Sequence, residues 1–116
     1  MTYRHSFSSV TNTWKEIPVI GMGYRFDVFV GSDNGSRRIR RDYLDRVINW
    51  ANSVFPEGYT LTRGRGFYEG TEEDSLILSV LTDERIDLRE KVATLKYELG
   101  QKSILVTHYA VDLENV

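Results

Sequence analysis

Gly58–Val80, GYTLTRGRGFYEGTEEDSLILSV, is the stretch whose reading decides the fold. Leu76, Leu78 and Val80 alternate with Ile77 and Ser79, the period of two that buries one face of a strand. Tyr59–Phe67 forms a second strand-like run, and the turn-forming residues between the two runs predict a hairpin. The middle of the stretch gathers Arg63, Gly64, Arg65, Gly66, Tyr68, Glu69, Glu72, Glu73 and Asp74 into one segment. Glycines let a backbone approach a ligand closely, and tyrosine and carboxylates supply a phenol and general-base or electrostatic groups. A small-molecule site is expected in this loop; the plainer reading is a solvated hairpin whose acids keep it soluble.

Upstream, Met1–Lys15 is polar and rich in serine and threonine without a sustained period, and reads as an extended N-terminal arm. From Val19 to Val30 the chain turns strand-like, with Tyr24, Phe26, Val28 and Val30 alternating with Arg25, Asp27 and Phe29. Ser32-Asp33-Asn34-Gly35-Ser36 is turn chemistry, and Ser36 or Asn34 is placed to cap a helix over Arg37–Phe55. That helix has apolar Leu44, Val47, Ile48, Ala51, Val54 and Phe55 at spacings of three and four, and Pro56 ends it. Downstream, Thr82-Asp83-Glu84 offers a cap and two acids to a second helix with the stripe Leu88, Val92, Leu95, Leu99 and a stop at Gly100. Ser103–Val111 is a last strand, and Asp112–Val116 an acidic tail.

The order β-α-β-β-α-β predicts an α+β, ferredoxin-like single domain over residues 1–116, with a four-stranded antiparallel sheet and both helices on one face. The other face is expected to carry Arg25, Asp27, Phe29, Thr60, Thr62, Ile77, Ser79 and either Leu105 or Thr107. So mixed a face suggests contact between subunits.

Composition excludes several classes. The 116 residues are 41% hydrophobic and 28% charged, near globular averages. No apolar run approaches the ~20 residues of a spanning helix, and MTYRHSFSSV lacks the apolar segment of a secretory signal; a soluble, cytoplasmic protein without membrane contact is expected. Without cysteine there is no disulfide framework, thiolate nucleophile or zinc-thiolate site. A net charge of -2 and a pI near 5.7 weigh against nucleic acid as the partner.

Arg37, Arg38, Arg40 and Arg41 sit where a helix N-terminus would favour a phosphate or nucleic acid, but the plainer reading is a solvated helix face. Gly64-Arg65-Gly66 resembles part of a phosphate loop but precedes no helix, so a β-bulge is expected. His5 and His108 stand far apart with no partner spacing for a metal or a triad, and no metal site is expected. Gln101, Lys102 and Ser103 could support the hairpin of a neighbouring subunit.

Gly58–Thr60 (GYT), Gly66–Tyr68 (GFY), Thr71–Ser75 (TEEDS) before an apolar strand, and Gly100–Val106 (GQKSILV) together resemble the phage-encoded S-adenosylmethionine-degrading enzymes. The resemblance spans roughly the second half of the chain. It implies a PII-like, ferredoxin-type trimer with sites at subunit interfaces. It further implies a lyase that cleaves S-adenosylmethionine (SAM) to 5'-methylthioadenosine and homoserine lactone without cofactor or metal. By the same resemblance Tyr68 and Glu73, with Glu72 beside it, are catalytic, and Arg65, Gly66, Phe67, Gln101 and Ser103 bind substrate. The chemistry suits such residues, because the substrate's own carboxylate attacks its γ-carbon and expels a neutral thioether, leaving the protein to position substrate and manage charge. Two other readings stay open. One is a non-catalytic PII-like module that holds a nucleotide-like ligand through Arg63, Arg65 and the Arg37–Arg41 run; the other is a structural assembly protein that binds neither.

Overall fold

Alternate apolar residues on two long strands build the floor of the core. The computed structural model describes the backbone of β1 (Tyr3–Ser8) and β2 (Thr13–Pro18) and the whole of residues 21–116. β3 (Gly21–Gly31) and β5 (Thr71–Thr82) pair antiparallel at the centre of a sheet. Phe26, Val28 and Val30 of β3 and Leu76, Leu78 and Val80 of β5 are buried together. β4 (Thr60–Tyr68) adds to β5, and β6 (Leu105–Leu113) adds to β3, so the order is β4-β5-β3-β6 with every neighbour antiparallel. Helices α1 (Arg41–Val54) and α2 (Arg89–Leu99) close the core with Tyr43, Val47, Trp50 and Ala51 and with Val92 and Leu95. This is the ferredoxin-like arrangement expected from the element order.

The N-terminal arm expected over residues 1–15 lies partly outside the described residues, as does the strand start at Val19. β1, inside the arm, pairs antiparallel with β2, which runs past it to Pro18, with Tyr3 opposite Pro18. His5 belongs to β1, and its side chain lies outside the description.

Both helices start later than their sequence signals suggest. Neither Ser36 nor Asn34 caps α1. Asp33 instead accepts from the backbone N–H of Gly35 (2.8 Å) and Ser36 (3.2 Å), Asn34 donates to the Gly100 carbonyl, and α1 begins after Arg40 with no side-chain cap. An Asx turn thus competes with helix initiation and wins. The same happens before α2, where Thr82 donates to the Glu84 carbonyl and Asp87 accepts from Arg89 N–H, so the helix begins at Arg89. Gly100 ends α2 as expected, in the left-handed region at φ 67° with its N–H on the carbonyls of Lys96 and Tyr97.

The bulge expected at Gly64–Gly66 is absent. Gly64, Arg65 and Gly66 pair in unbroken register with Ser75, Asp74 and Glu73. The hairpin loop is also much shorter than its composition suggested. Tyr68 pairs with Thr71, and only Glu69 (φ 50°) and Gly70 (φ 77°) turn the chain, the double positive φ of a tight two-residue hairpin turn whose twist matches its strands.

On the sheet face away from the core, Arg25, Asp27 and Phe29 stand opposite Leu81, Ser79 and Ile77 on one side and Tyr109, Thr107 and Leu105 on the other. Thr60 and Thr62 join this face from β4. Both of the alternatives at 105 and 107 therefore lie on it. Asp27 is only 8% exposed, and it takes hydrogen bonds from Ser79 Oγ (2.7 Å) and Arg25 Nε (3.2 Å). Pairing of this kind offsets most of the desolvation of a buried carboxylate.

Candidate functional site

Because the turn is so short, Glu72, Glu73 and Asp74 are not loop residues but part of β5. Strand alternation then sends them to different faces. By register Gly66 stands opposite Glu73 and Tyr68 opposite Thr71, which makes Tyr68 and Glu73 diagonal neighbours on one face, within reach of long side chains. Glu72 stands opposite Phe67 on the other face, where it pairs with Arg65 at 2.9 Å. The structure therefore separates Glu72 from Glu73, and it engages Arg65 with Glu72. Tyr68 and Phe67 are 69% and 73% exposed at the hairpin tip.

Glu73, on β5, is half-buried beside the end of β3 and belongs to a network that draws on β3, β5, α1 and the residues after α2. Ser32 Oγ, itself buried, donates to Glu73 Oε2 at 3.3 Å. Gln101 Nε2 donates to the Ser32 carbonyl at 2.6 Å and to the Tyr43 hydroxyl oxygen at 2.9 Å, and that hydroxyl donates to the Gly31 carbonyl. Gln101, the residue after the Gly100 cap, is thereby tied to Ser32 and Tyr43 of its own chain. Ser103 does not join this network: the residue is exposed and, among the described residues, forms no side-chain hydrogen bond. Burial raises the Tyr43 phenol above its ordinary value, against the Gln101 hydrogen bond that lowers it, with the negative charges of Asp33 and Glu73 raising it further. The phenol stays protonated through the neutral range.

Sequence reading missed Ser32 and Tyr43. Ser32 lies in a run of turn-forming residues, and Tyr43 falls on the buried stripe of α1 one turn before Val47, where an aromatic reads as core.

A second set of groups lies over the outer ends of β4 and β5. Asp74 N–H donates to the Arg37 carbonyl (3.1 Å) and Asp74 Oδ2 accepts from Ile39 N–H (3.0 Å). Arg63 donates to the Ile39 carbonyl at 3.1 Å and lies 3.8 Å from Asp74. These bonds clamp the 36–40 segment over the sheet, with Arg37 held at φ 58°, a conformation that costs a non-glycine residue on the order of 1 kcal/mol. An open groove of about 830 Å³ results, lined by Arg37, Arg38, Arg40, Arg63 and Arg65 and by Glu72, Glu73 and Asp74. Among the described residues no acid lies within ion-pair distance of Arg37, Arg38 or Arg40. Asp33, below them, is held under its ordinary carboxylate value by the backbone N–H groups of Gly35 and Ser36. No cluster of metal-ligating side chains occurs among the described residues, and none of their helices is long and apolar enough to cross a membrane.

No family model matches the chain, and no curated protein matches it. Solved structures do. A phage SAM lyase in its apo state is 19% identical with a TM-score of 0.54, over 83% of this chain and 94% of that one. A phage SAM lyase in complex with S-methyl-5'-thioadenosine is also 19% identical with a TM-score of 0.52, over 78% of this chain and 89% of that one. At this identity the likeness is one of backbone architecture, and it extends over most of both chains: the protein has the fold of the phage SAM lyases.

Proposed function

We propose that the protein is a SAM lyase, cleaving the substrate to 5'-methylthioadenosine and homoserine lactone by attack of the substrate's own carboxylate on its γ-carbon. The observation that carries this reading is the placement of Glu73. Its carboxylate is half-buried, fixed through Ser32, Gln101 and Tyr43, and on the same face as the exposed phenol ring of Tyr68. A fixed carboxylate complements a sulfonium or ammonium centre without reorganisation during reaction, and an aromatic face adds cation–π attraction. Glu72, tied to Arg65 on the opposite face, would shape the neighbouring groove, with Gly66 and Phe67 bordering the substrate and Gln101 holding the network. Ser103 would bind substrate only through a neighbouring subunit. The fold shared with phage SAM lyases, one of them in complex with the thioadenosine, supports the same substrate class.

Purified protein incubated with SAM and EDTA is expected to yield methylthioadenosine and homoserine lactone on chromatography. Unchanged substrate with folded protein would refute the lyase reading.

The open face supports self-association, and with the resemblance to trimeric relatives the assembly we propose is a homotrimer with sites at subunit interfaces. Leu81 and Leu105 on that face are 60% and 63% exposed, with Phe29 and Tyr109 beside them, more apolar surface than an isolated sheet face usually leaves in water. Light scattering is expected to give three times the 13.4 kDa chain mass; a monomer at micromolar concentration would rule the assembly out.

The arginines of the 830 Å³ groove favour a second reading, a PII-like module that holds a nucleotide-like ligand. The two part on charge. Phosphate binding should depend on Arg37, Arg38 and Arg40 and weaken with salt, whereas binding of the cationic substrate should depend on Glu73, and calorimetry with each ligand separates them.

A further inference from the structure

Along α2, the loop before the helix, the helix itself and strands β3 and β6 line an open groove of about 610 Å³. Its floor is apolar, built from Phe26, Ile86, Leu88, Val92 and Val106. The ring of His108, on β6, lies 5.8 Å from that of Phe26 at a tilt of 32°. Around the rim stand Arg85, Arg89 and the half-buried Lys96. The single acid lining the groove, Asp87, is within 3.7 Å of Arg89 and accepts its backbone N–H. In a chain of net charge -2, two cations without an acid beside them in the groove, Arg85 and Lys96, and an imidazole thus border one apolar hollow, while the largely exposed Arg89 lies beside the one carboxylate.

We propose that this groove binds a small organic anion: a planar or aliphatic apolar body on the Phe26–Val92–Val106 floor, with its anionic head between Arg85 and Lys96. The volume suits a small ligand, since such sites usually measure about 300–1,000 Å³ and combine an apolar lining with a few polar groups that fix orientation. A neutral apolar ligand would leave Arg85 and Lys96 unanswered. An inorganic anion would leave the floor wet. None of the groove residues belongs to the Glu73 network, so the site is independent of the lyase reading.

The probe is 8-anilinonaphthalene-1-sulfonate, an aromatic anion whose emission rises in apolar surroundings. The full-length protein is expected to bind it at micromolar concentration, and the double variant Arg85→Glu with Lys96→Glu to weaken it at least tenfold. A double variant of equal charge change elsewhere, Arg46→Glu with Lys91→Glu, is expected to leave probe affinity within twofold. Near-ultraviolet circular dichroism confirms that each variant is folded. Displacement by AMP assigns a phosphate head, and displacement by octanoate a carboxylate head. Equal weakening by both double variants, loss of the probe on Leu105→Ser instead, or binding indifferent to Arg85 and Lys96 overturns the proposal. SAM cleavage, measured alongside, is expected to be unchanged in the Arg85 and Lys96 variant, so the two sites fail or succeed separately.

Discussion

Glu73→Gln is expected to lower kcat/KM for SAM cleavage by about 10²-fold, the scale of losing one preorganised electrostatic group at a reacting centre. The substitution keeps shape and the acceptor oxygen that Ser32 Oγ contacts at 3.3 Å, so the fold should survive and the loss should come from charge. A carboxylate attracts the sulfonium and ammonium centres of the substrate through its charge, which the amide does not carry. Tyr68→Phe separates the hydroxyl from the ring: a phenol that contributes mainly through its aromatic face would leave most activity in the phenylalanine variant. Both variants should keep the wild-type unfolding midpoint, because Tyr68 is largely in water and Glu73 lies outside the apolar core. Turnover of Glu73→Gln within threefold of wild type would remove the carboxylate from the mechanism.

The second large effect is on stability. Leu78→Ala is expected to destabilise the protein by ~2–5 kcal/mol, the combined loss of transfer free energy and creation of a cavity. Leu78 is fully buried at the centre of β5, opposite Val28 on β3 and Leu61 on β4. A domain of this size has roughly 5–15 kcal/mol in total, so this is a large fraction. The consequence reaches function, since the strand that seats Leu76, Leu78 and Val80 in the core also carries Glu73 and Asp74. Urea unfolding at fixed protein concentration should show a lower midpoint with an unchanged slope. A shift under 1 kcal/mol would mean that the core does not close around this position.

Local periodicity determined a good deal by itself. The alternation of Phe26, Val28 and Val30 and of Leu76, Leu78 and Val80, with the helical stripes through Val47 and Ala51 and through Val92 and Leu95, specified the two central strands and both helices. The side chains of the open face followed as well, because in a strand the next residue always points the other way. Positions where two local signals compete were not legible. Asp33 turned the chain against helix capping by Ser36, and the glycines at 64 and 66 stayed in the ladder instead of bulging. The site was legible only as a composition. A two-residue turn in place of an acidic loop decided that Glu72 and Glu73 point apart, one to Arg65 and the other to Ser32. The support of Glu73 joins Ser32 to a partner 41 positions away and Gln101 to partners 69 and 58 positions away. Pattern reading sees a neighbourhood of a few residues, whereas those bonds exist only because the end of β3, the buried face of α1 and the cap of α2 are packed against one another by the core between them.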